Sequence, residues 1–243
     1  MQSWGLSDPG CVRTQNQDAY QIVQLDRNTT LCVLCDGMGG AKSGNIASAL
    51  ATDVFVQELR RVHKSGMSQE QIEQMLIGGA KLANFTVYDQ SRQFEEFAGM
   101  GTTLVAAYIS GKNVTVINVG DSRCYYVNRE GIRQVTRDHS LVELMIERKE
   151  LTPEQARNYP GKNYITRAIG TETMVECDLY QLKMDRGDAL LLCSDGLSNI
   201  VDDQEILFEV VLGVNKEYCC QRLLDIAKMR GAPDNVTSVL ALA

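Results

Sequence analysis

Long apolar runs are absent from this chain of 243 residues, in which no eighteen consecutive residues are apolar. We therefore expect no transmembrane helix, because crossing a bilayer takes about 20 such residues. Residues 1–9 lack the basic and apolar regions of a signal peptide, so we expect a cytoplasmic protein. Basic residues are few, 24 against 31 acidic ones, and the net charge of −7 argues against a nucleic-acid partner. No internal repeat or low-complexity linker divides the chain, which predicts one domain over residues 1–243.

Histidine is also scarce, with two residues, whereas cysteine is common, with eight. Cysteines scattered through apolar runs in a chain without an export signal are expected to be small buried hydrophobic residues. Cys32 and Cys35 form a C-x-x-C pair, which is also typical of zinc or thiol redox sites. Residues three apart in a strand face opposite sides, and no second pair follows at a useful spacing. Packing is therefore the favoured interpretation, and a zinc or redox site is the alternative.

Aspartates follow or precede short apolar runs at several points. The run 31–35 closes on Asp36, and glycines follow at positions 37, 39 and 40. The run 190–193 closes in the same way on Asp195 and a glycine, and Asp121 and Asp234 also lie against strand-like runs. A carboxylate at the end of a buried strand is costly unless a positive group meets it, and glycine lets the backbone approach a ligand. Each Asp-Gly alone is also typical of a tight turn, but their recurrence predicts one shared site.

Strand-like and helical segments alternate in blocks along the chain. Their order predicts an α+β fold, a four-layer αββα sandwich of two antiparallel β-sheets with helices on both outer faces. One helix is predicted over 46–62 and another over 68–91, where Ser68 begins a capping box. Gly78 and Gly79 lie inside the second helix, which is either continuous and in close contact with a neighbour or broken there. The segment 139–165 is helical and mixed in charge, and we interpret it as an excursion over the surface.

Seven short motifs follow one another along the chain, namely Arg13-x-x-Asn16-Gln17-Asp18, Asp36-Gly37-Met38-Gly39-Gly40, Gly101-Thr102-Thr103, Asn118-Val119-Gly120-Asp121-Ser122-Arg123, Thr166-Arg167-Ala168-Ile169-Gly170, Ser194-Asp195-Gly196-Leu197 and Asp234-Asn235-Val236-Thr237. In this order they resemble the motifs of the PP2C-type, metal-dependent protein serine/threonine phosphatases. The resemblance covers essentially the whole chain and is strongest for stand-alone bacterial members, which are often partners of membrane-anchored serine/threonine kinases. It implies the same αββα sandwich, and it matches the segment 139–165 to the family's mobile flap beside the active site.

The resemblance implies hydrolysis of phosphoserine and phosphothreonine in proteins by a water activated between two Mg²⁺ or Mn²⁺ ions. Such hard ions prefer oxygen ligands, which aspartates supply. By resemblance, Asp36 bridges both ions, the Gly37 carbonyl binds one of them, and Asp195 and Asp234 bind the other. Without a cation, several carboxylates in one pocket would raise one another's pKa.

Three further roles follow from the same resemblance. Asp18 is expected to orient metal-bound water, and Arg13 to grip the substrate phosphate with its bidentate guanidinium. Asp121, together with Asp195, matches a third, weaker metal site of bacterial members. The expected partners are phosphorylated proteins, including a serine/threonine kinase, and we expect a monomer that does not insert into membranes.

The identity of the proton donor to the leaving group is open. Met38 stands where animal members carry a histidine implicated as general acid, and a methionine cannot donate a proton. We expect His63, near the end of a helix, to be solvated and without a role. His139, at the start of the flap-like segment, is interpreted as a structural histidine bonded to nearby backbone. A metal-bound water is another candidate donor.

Two other functions remain alternatives. The first is a non-catalytic binding module of the same fold, which the loss of a metal-binding aspartate would indicate, and none is missing. The second is a related phosphatase that acts on small phosphoesters or in a sporulation or stress-response pathway. The flap-like segment and Arg13 favour the protein phosphatase.

Overall fold

The computed structural model describes residues 1–39, 43–157 and 159–243. Gly40 of the predicted glycine-rich loop and Asn158 of the predicted excursion lie outside the described residues. The strands are Gln2–Asp8 (β1), Asp18–Asp26 (β2), Thr29–Met38 (β3), Gly101–Thr102 (β4), Leu104–Ser110 (β5), Asn113–Val119 (β6), Arg123–Asn128 (β7), Gly131–Gln134 (β8), Asp178–Lys183 (β9), Ala189–Cys193 (β10) and Val236–Leu242 (β11). The α-helices are Gly44–Val62 (α1), Gln69–Gln93 (α2), Leu141–Glu147 (α3), Pro153–Arg157 (α4), Asp195–Ser198 (α5), Asp203–Val211 (α6) and Cys219–Met229 (α7).

The strands form two antiparallel sheets, as predicted. The first has the order β1-β11-β10-β7-β8, and the second has the order β2-β3-β5-β6-β9, with β4 paired to β3. One apolar cluster fills the space between the sheets. A second lies between the β2–β9 sheet and helices α1 and α2, and a third lies between the β1–β8 sheet and helices α6 and α7. The four-layer αββα prediction is therefore confirmed.

Strand β3 shows how the sequence specifies these layers. Its residues alternate between the two faces of the sheet, so both faces of this central strand are apolar. Cys32 and Leu34 pack into the layer between the sheets. Leu31, Val33 and Cys35 pack on the opposite side, against α1 and α2.

The same alternation decides between the two interpretations of the C-x-x-C pair. The Cys32 and Cys35 thiols are fully buried on opposite faces of the sheet, so they cannot bind one ion together. Burial raises the pKa of each thiol to about 12, which keeps both protonated. All eight cysteines are free, and the packing interpretation is confirmed for this pair. Cys11 is an exception to the general expectation of burial, because it is exposed.

His63 does not lie in solvent, and that expectation was wrong. Its side chain is only 7% exposed, and Nε2 lies 3.0 Å from Oδ2 of Asp26, the last residue of β2. Nδ1 lies 3.2 Å from the Tyr108 hydroxyl on β5. These contacts fix the end of α1 to the sheet beneath it, so the residue serves the fold.

Helix α2 runs without a break through both glycines, which confirms the continuous alternative. Its capping box at Ser68 is present, and Gly79 is buried at the contact with α1. A Cβ at Gly79 would lie 2.5 Å from Leu59 Cδ1 and 3.1 Å from the Phe55 ring. A Cβ at Gly78 would meet nothing within 4 Å. Only one of the two glycines is therefore required by packing.

The segment 139–165 contains the short helices α3 and α4, and its two ends meet in a β-bridge between Ser140 and Ile165. Helix α6 begins at a capping box on Asp202. Within the described residues, no helix is both long enough and apolar enough to cross a membrane.

The two glycines of α2 generate a paired stability prediction. Gly78→Ala should raise the free energy of unfolding by about 0.5–1 kcal/mol, because alanine favours the helix and the site is open. Gly79→Ala should lower it, because an overlap in the core costs about 1–3 kcal/mol and outweighs the same helical gain. Urea unfolding of both variants would measure the difference. Equal stabilisation by both substitutions would mean that α1 and α2 are not in close contact there.

Candidate metal centre

The aspartates singled out in the sequence meet at one end of the two sheets. Asp18 is the first residue of β2, and it lies directly opposite Asp36 in the antiparallel β2–β3 register. Asp121 follows β6, whose last residue, Val119, pairs with the first residue of β5, on the same edge. The antiparallel topology thus brings three carboxylates that are far apart in sequence to the same end of the second sheet.

Asp195 and Asp234 come from the other sheet. Asp195 begins α5 two residues after β10, and Asp234 lies two residues before β11. Cys193 and Ser238 pair across these two strands, so the loops that carry both aspartates lie side by side. Because the sheets stack face to face, both loops lie at the end of the sandwich where Asp36 lies.

Asp36 lies at the centre of this group. Burial and the nearby carboxylates of Asp18, Asp195, Asp121 and Asp234 raise its pKa well above the usual value for an aspartate. Its backbone is held firmly, because its N–H donates to Thr103 Oγ1 at 2.9 Å and its carbonyl accepts from the Thr103 N–H at 2.8 Å. The strand therefore holds a carboxylate where its charge is strongly disfavoured unless a cation is near.

Asp18 is oriented by hydroxyl groups from the other sheet. Its Oδ2 accepts from Thr237 Oγ1 at 2.6 Å and from Ser194 Oγ at 2.8 Å. Because the Thr237 hydroxyl uses its hydrogen in the bond to Asp18, the Ser7 hydroxyl must donate to Thr237 Oγ1, at 2.6 Å. The side-chain amide of Asn16 in turn donates to Ser7 Oγ at 2.7 Å. A directional chain of donors thus ends on Oδ2. Burial, together with the negative charge of Asp195, raises the Asp18 pKa to about 6, although the hydrogen bonds from these hydroxyls act in the opposite direction.

Asp121 and Asp195 are perturbed in the same direction. Burial is the main cause at Asp121, with Asp195 and Asp138 as the nearby charges, and its pKa rises to about 8. Burial and the neighbouring Asp234 raise the pKa of Asp195. Repulsion and desolvation therefore act on every member of the group that is buried from water.

Arg13 lies among these carboxylates, where the sequence places it. Its Nη2 donates to Asp234 Oδ2 at 2.8 Å, with side-chain exposures of 53% and 40%. An ion pair this exposed is worth only about 0–1 kcal/mol, so each partner is easily drawn to another ligand. The Asn235 amide nitrogen donates to the carbonyls of Pro9 and Gln15, which holds the Arg13 loop over the Asp234 loop.

The residues present fit a pair of hard cations, although they do not form a ready-made chelate. Across residues 1–39, 43–157 and 159–243, no three carboxylate, imidazole or thiol groups are already arranged to hold a metal ion. However, Asp18 Oδ1 and Asp121 Oδ1 are buried carboxylate oxygens without a hydrogen-bond partner among the described residues. The side chains offer oxygen donors only, which suits Mg²⁺ or Mn²⁺. A cation would satisfy these oxygens and remove the repulsion together.

Gly37 and Met38 extend β3 beyond the apolar run and pair with β4. A Cβ at Gly37 would lie 2.0 Å from the carbonyl oxygen of Gly44 at the start of α1, so only glycine fits beside Asp36.

His139 is bonded to backbone, as predicted, because its Nδ1 accepts from the Gly120 N–H at 3.1 Å.

The hydroxyl groups that hold the aspartates were not among the predicted site residues. Thr103, Ser194 and Thr237 lie within the quoted motifs, but their contacts with Asp36 and Asp18 span 67 to 219 residues of sequence. The available signal was a serine or threonine within three residues of each predicted aspartate ligand of the first sheet. That pattern is too common in loops to assign a partner.

Comparison with known proteins agrees with this geometry. The family model described as Protein phosphatase 2C matches residues 12–224. Serine/threonine phosphatase stp of Listeria monocytogenes is 34% identical over 236 residues, which cover 96% of this chain and 92% of that protein. Protein phosphatase PhpP of Streptococcus pneumoniae is 34% identical over 236 residues, covering 97% and 94%. The crystal structure of serine/threonine phosphatase Stp1 from Staphylococcus aureus matches with a TM-score of 0.94 at 37% identity, covering 100% of this chain and 95% of that one. In sequence and in fold, the chain belongs to the protein phosphatase 2C family of serine/threonine protein phosphatases.

Proposed function

We propose that this protein hydrolyses phosphoserine and phosphothreonine in proteins, with two Mg²⁺ or Mn²⁺ ions at the aspartate cluster, and reverses the action of a serine/threonine kinase. The observation that carries the proposal is the convergence of Asp36, Asp195 and Asp234 beside Arg13 at one end of both sheets. Ions bound there would supply the positive charge that attack of water on a phosphomonoester requires.

The position of each aspartate determines which ion it is proposed to bind. Asp36, at the centre of the group, is the proposed ligand of both ions, with the adjacent Gly37 carbonyl on one of them. Asp195 and Asp234, on neighbouring loops of the first sheet, are the proposed ligands of the other. Rigid strand ends suit this task, because the ligands must keep their spacing through the reaction.

Arg13 is the proposed phosphate-binding residue. Its guanidinium already lies near Asp234, Asp195 and Asp36, whose charges raise its pKa. A phosphate dianion would compete well for it, since the present exposed pair with Asp234 is weak and guanidinium binds phosphate with two parallel hydrogen bonds. Release of Asp234 from Arg13 would leave that carboxylate free for a cation.

Asp18 and Asp121 are proposed to act at the edges of the group. The hydroxyl chain fixes Asp18 Oδ2 and leaves Oδ1 free to accept a hydrogen bond from a water at the centre. Asp121, with the shared Asp195, is the proposed site of a third, weaker ion, because so few protein ligands leave an ion mostly hydrated.

The proton for the leaving alkoxide does not come from His139 in this proposal. Both ring nitrogens are engaged, Nδ1 by the Gly120 N–H and Nε2 at 3.2 Å from Asp178 Oδ2. Met38 has no proton to give. Water is the remaining candidate donor at the site.

The first functional prediction concerns cations. Protein freed of divalent ions with a chelator should lose turnover of a phosphoserine or phosphothreonine peptide, and added Mn²⁺ or Mg²⁺ should restore it. Asp36→Asn should lower kcat by at least about a thousandfold, since the amide removes the central charge. Steady-state kinetics on the peptide would measure both effects.

Matched substrates and a surface control make this test specific. Asp185→Asn changes a carboxylate that forms an exposed ion pair with Lys112, and it should leave kcat unchanged. Sugar phosphates assayed in parallel would test the alternative of a small-phosphoester hydrolase. Full activity after exhaustive chelation would contradict the proposed mechanism, and faster turnover of the sugar phosphates would contradict the proposed substrate.

A second prediction concerns Thr237. Thr237→Val keeps the shape but removes the 2.6 Å hydrogen bond to Asp18, and a bond to a charged group contributes about 1.5–3 kcal/mol. We expect kcat to fall about tenfold or more, whereas Thr237→Ser, which keeps the hydroxyl, should stay near the wild-type value. Urea unfolding would show whether both variants are folded. A wild-type kcat in the valine variant would show that this hydrogen bond does not matter for turnover.

A further inference from the structure

His139 lies at the root of the segment 139–165, where that segment leaves and rejoins the sheet. Its carbonyl accepts from the Thr166 N–H at 2.8 Å, next to the bridge between Ser140 and Ile165. Its side chain is only 6% exposed. The role of this buried imidazole therefore follows from the residues that its two ring nitrogens contact.

The first partner is Gly120, which His139 holds twice. The His139 N–H donates to the Gly120 carbonyl at 2.9 Å, and Nδ1 accepts from the Gly120 N–H at 3.1 Å. Asn118 Nδ2 also donates to the Gly120 carbonyl, at 3.2 Å. Because a backbone N–H can only donate, Nδ1 must carry no proton, which leaves the proton on Nε2.

The second partner is Asp178, the first residue of β9. Nε2 lies 3.2 Å from Asp178 Oδ2, so its proton points at a carboxylate. Arg167 Nη1 lies 3.4 Å from the same nitrogen, but it donates to Asp178 Oδ1 at 2.9 Å. Asp178 pairs with Asn118 in the β6–β9 register. The imidazole therefore bridges the end of β9 and the loop that follows β6, in one tautomer.

Gly120 transmits this contact to Asp121, the next residue. Gly120 has a φ of +107°, and a Cβ there would lie 2.6 Å from Thr103 Cγ2, so the backbone at this point has little room to move. Asp121 is 8% exposed, and its Oδ1 has no hydrogen-bond partner among the described residues. The position of the carboxylate thus depends in part on the backbone of residue 120, because no hydrogen bond from a described residue holds Oδ1.

We propose that His139 is a positioning residue: it ties the root of the segment 139–165 to Gly120 and thereby sets where the Asp121 carboxylate lies. Movement of the segment root would then be felt at Asp121. The part of this inference that concerns turnover rests on the proposed function of Asp121, whereas the part that concerns backbone order does not.

Two substitutions separate the two contacts of the ring. In His139→Asn the side-chain oxygen takes the place of Nδ1 and can still accept from Gly120, but the side chain does not reach Asp178. In His139→Gln the amide takes the place of Nε2 and can reach Asp178, but no acceptor remains for Gly120. The two variants are therefore controls for each other, in the full chain with Mn²⁺ present.

The first readout is hydrogen exchange of the Gly120 amide, which does not depend on activity. Loss of a neutral hydrogen bond costs about 0.5–1.5 kcal/mol, so exchange in His139→Gln should be up to about tenfold faster, with little change in His139→Asn. Equal exchange in His139→Gln and the wild type would overturn the proposal. It would do so whether or not the protein is a phosphatase.

The second readout is a double-mutant cycle in kcat on a phosphopeptide. If His139 acts through Asp121, His139→Gln should lower kcat in the wild-type background and have little further effect in the Asp121→Asn background. Additive losses would show that His139 acts by another route and would overturn the proposal. A wild type without phosphatase activity would instead refute the proposed function and leave the exchange result standing.

A third readout needs no substitution and guards against a variant that fails to fold. The ¹⁵N shifts of the His139 ring in the wild-type protein report which nitrogen carries the proton. The proposal requires the Nε2–H tautomer, and an Nδ1–H tautomer would overturn it, because such a ring cannot accept from Gly120.

Discussion

Repulsion among half-buried carboxylates is the constraint on which the rest of this site depends. Burial and neighbouring charges raise the pKa of Asp36, Asp18 and Asp121, since each of them lies in the field of another aspartate. The folded chain therefore stores an unfavourable interaction at the end of the sandwich, offset by the large apolar layers elsewhere. Protons or cations relieve it, and divalent cations do so while creating a centre that can polarise phosphate and water.

The sandwich makes this arrangement reproducible. Each sheet contributes its own aspartates from strand ends, and the link between sheets is made by hydroxyl groups, above all that of Thr237 on Asp18. Arg13 enters from a loop that the Asn235 amide holds in place. The hydrogen bonds to Asp18 thus join the two sheets, whereas the ion pair between Arg13 and Asp234 is exposed and weak. In the proposed mechanism, metal and phosphate would replace that internal pair without disturbing the sheets.

The sequence reveals the parts of this architecture that depend on local rules. The two-residue period of a strand predicted that Cys32 and Cys35 face opposite sides of the sheet, and the capping box at Ser68 predicted the start of α2. His63 was misjudged because its partner Asp26 lies 37 residues away, and a helix end alone does not show what covers it. The hydrogen bonds from hydroxyl groups to Asp18 could not be predicted either, because Thr237 lies 219 residues away from Asp18 in the sequence. The aspartates of the site were found because motif order carries long-range information, but the ion count and the extent of the domain stay predictions.

Thermal unfolding of the wild type and Asp36→Asn, each with and without Mn²⁺, tests the central claim most directly. If the carboxylates are held together for a cation, the metal-free Asp36→Asn protein should melt at a temperature at least as high as the metal-free wild type, because the substitution removes repulsion. Mn²⁺ should raise the melting temperature of the wild type by binding the folded state, and it should raise that of the variant much less. A metal-free variant that melts well below the wild type, together with equal stabilisation of both proteins by Mn²⁺, would contradict the account.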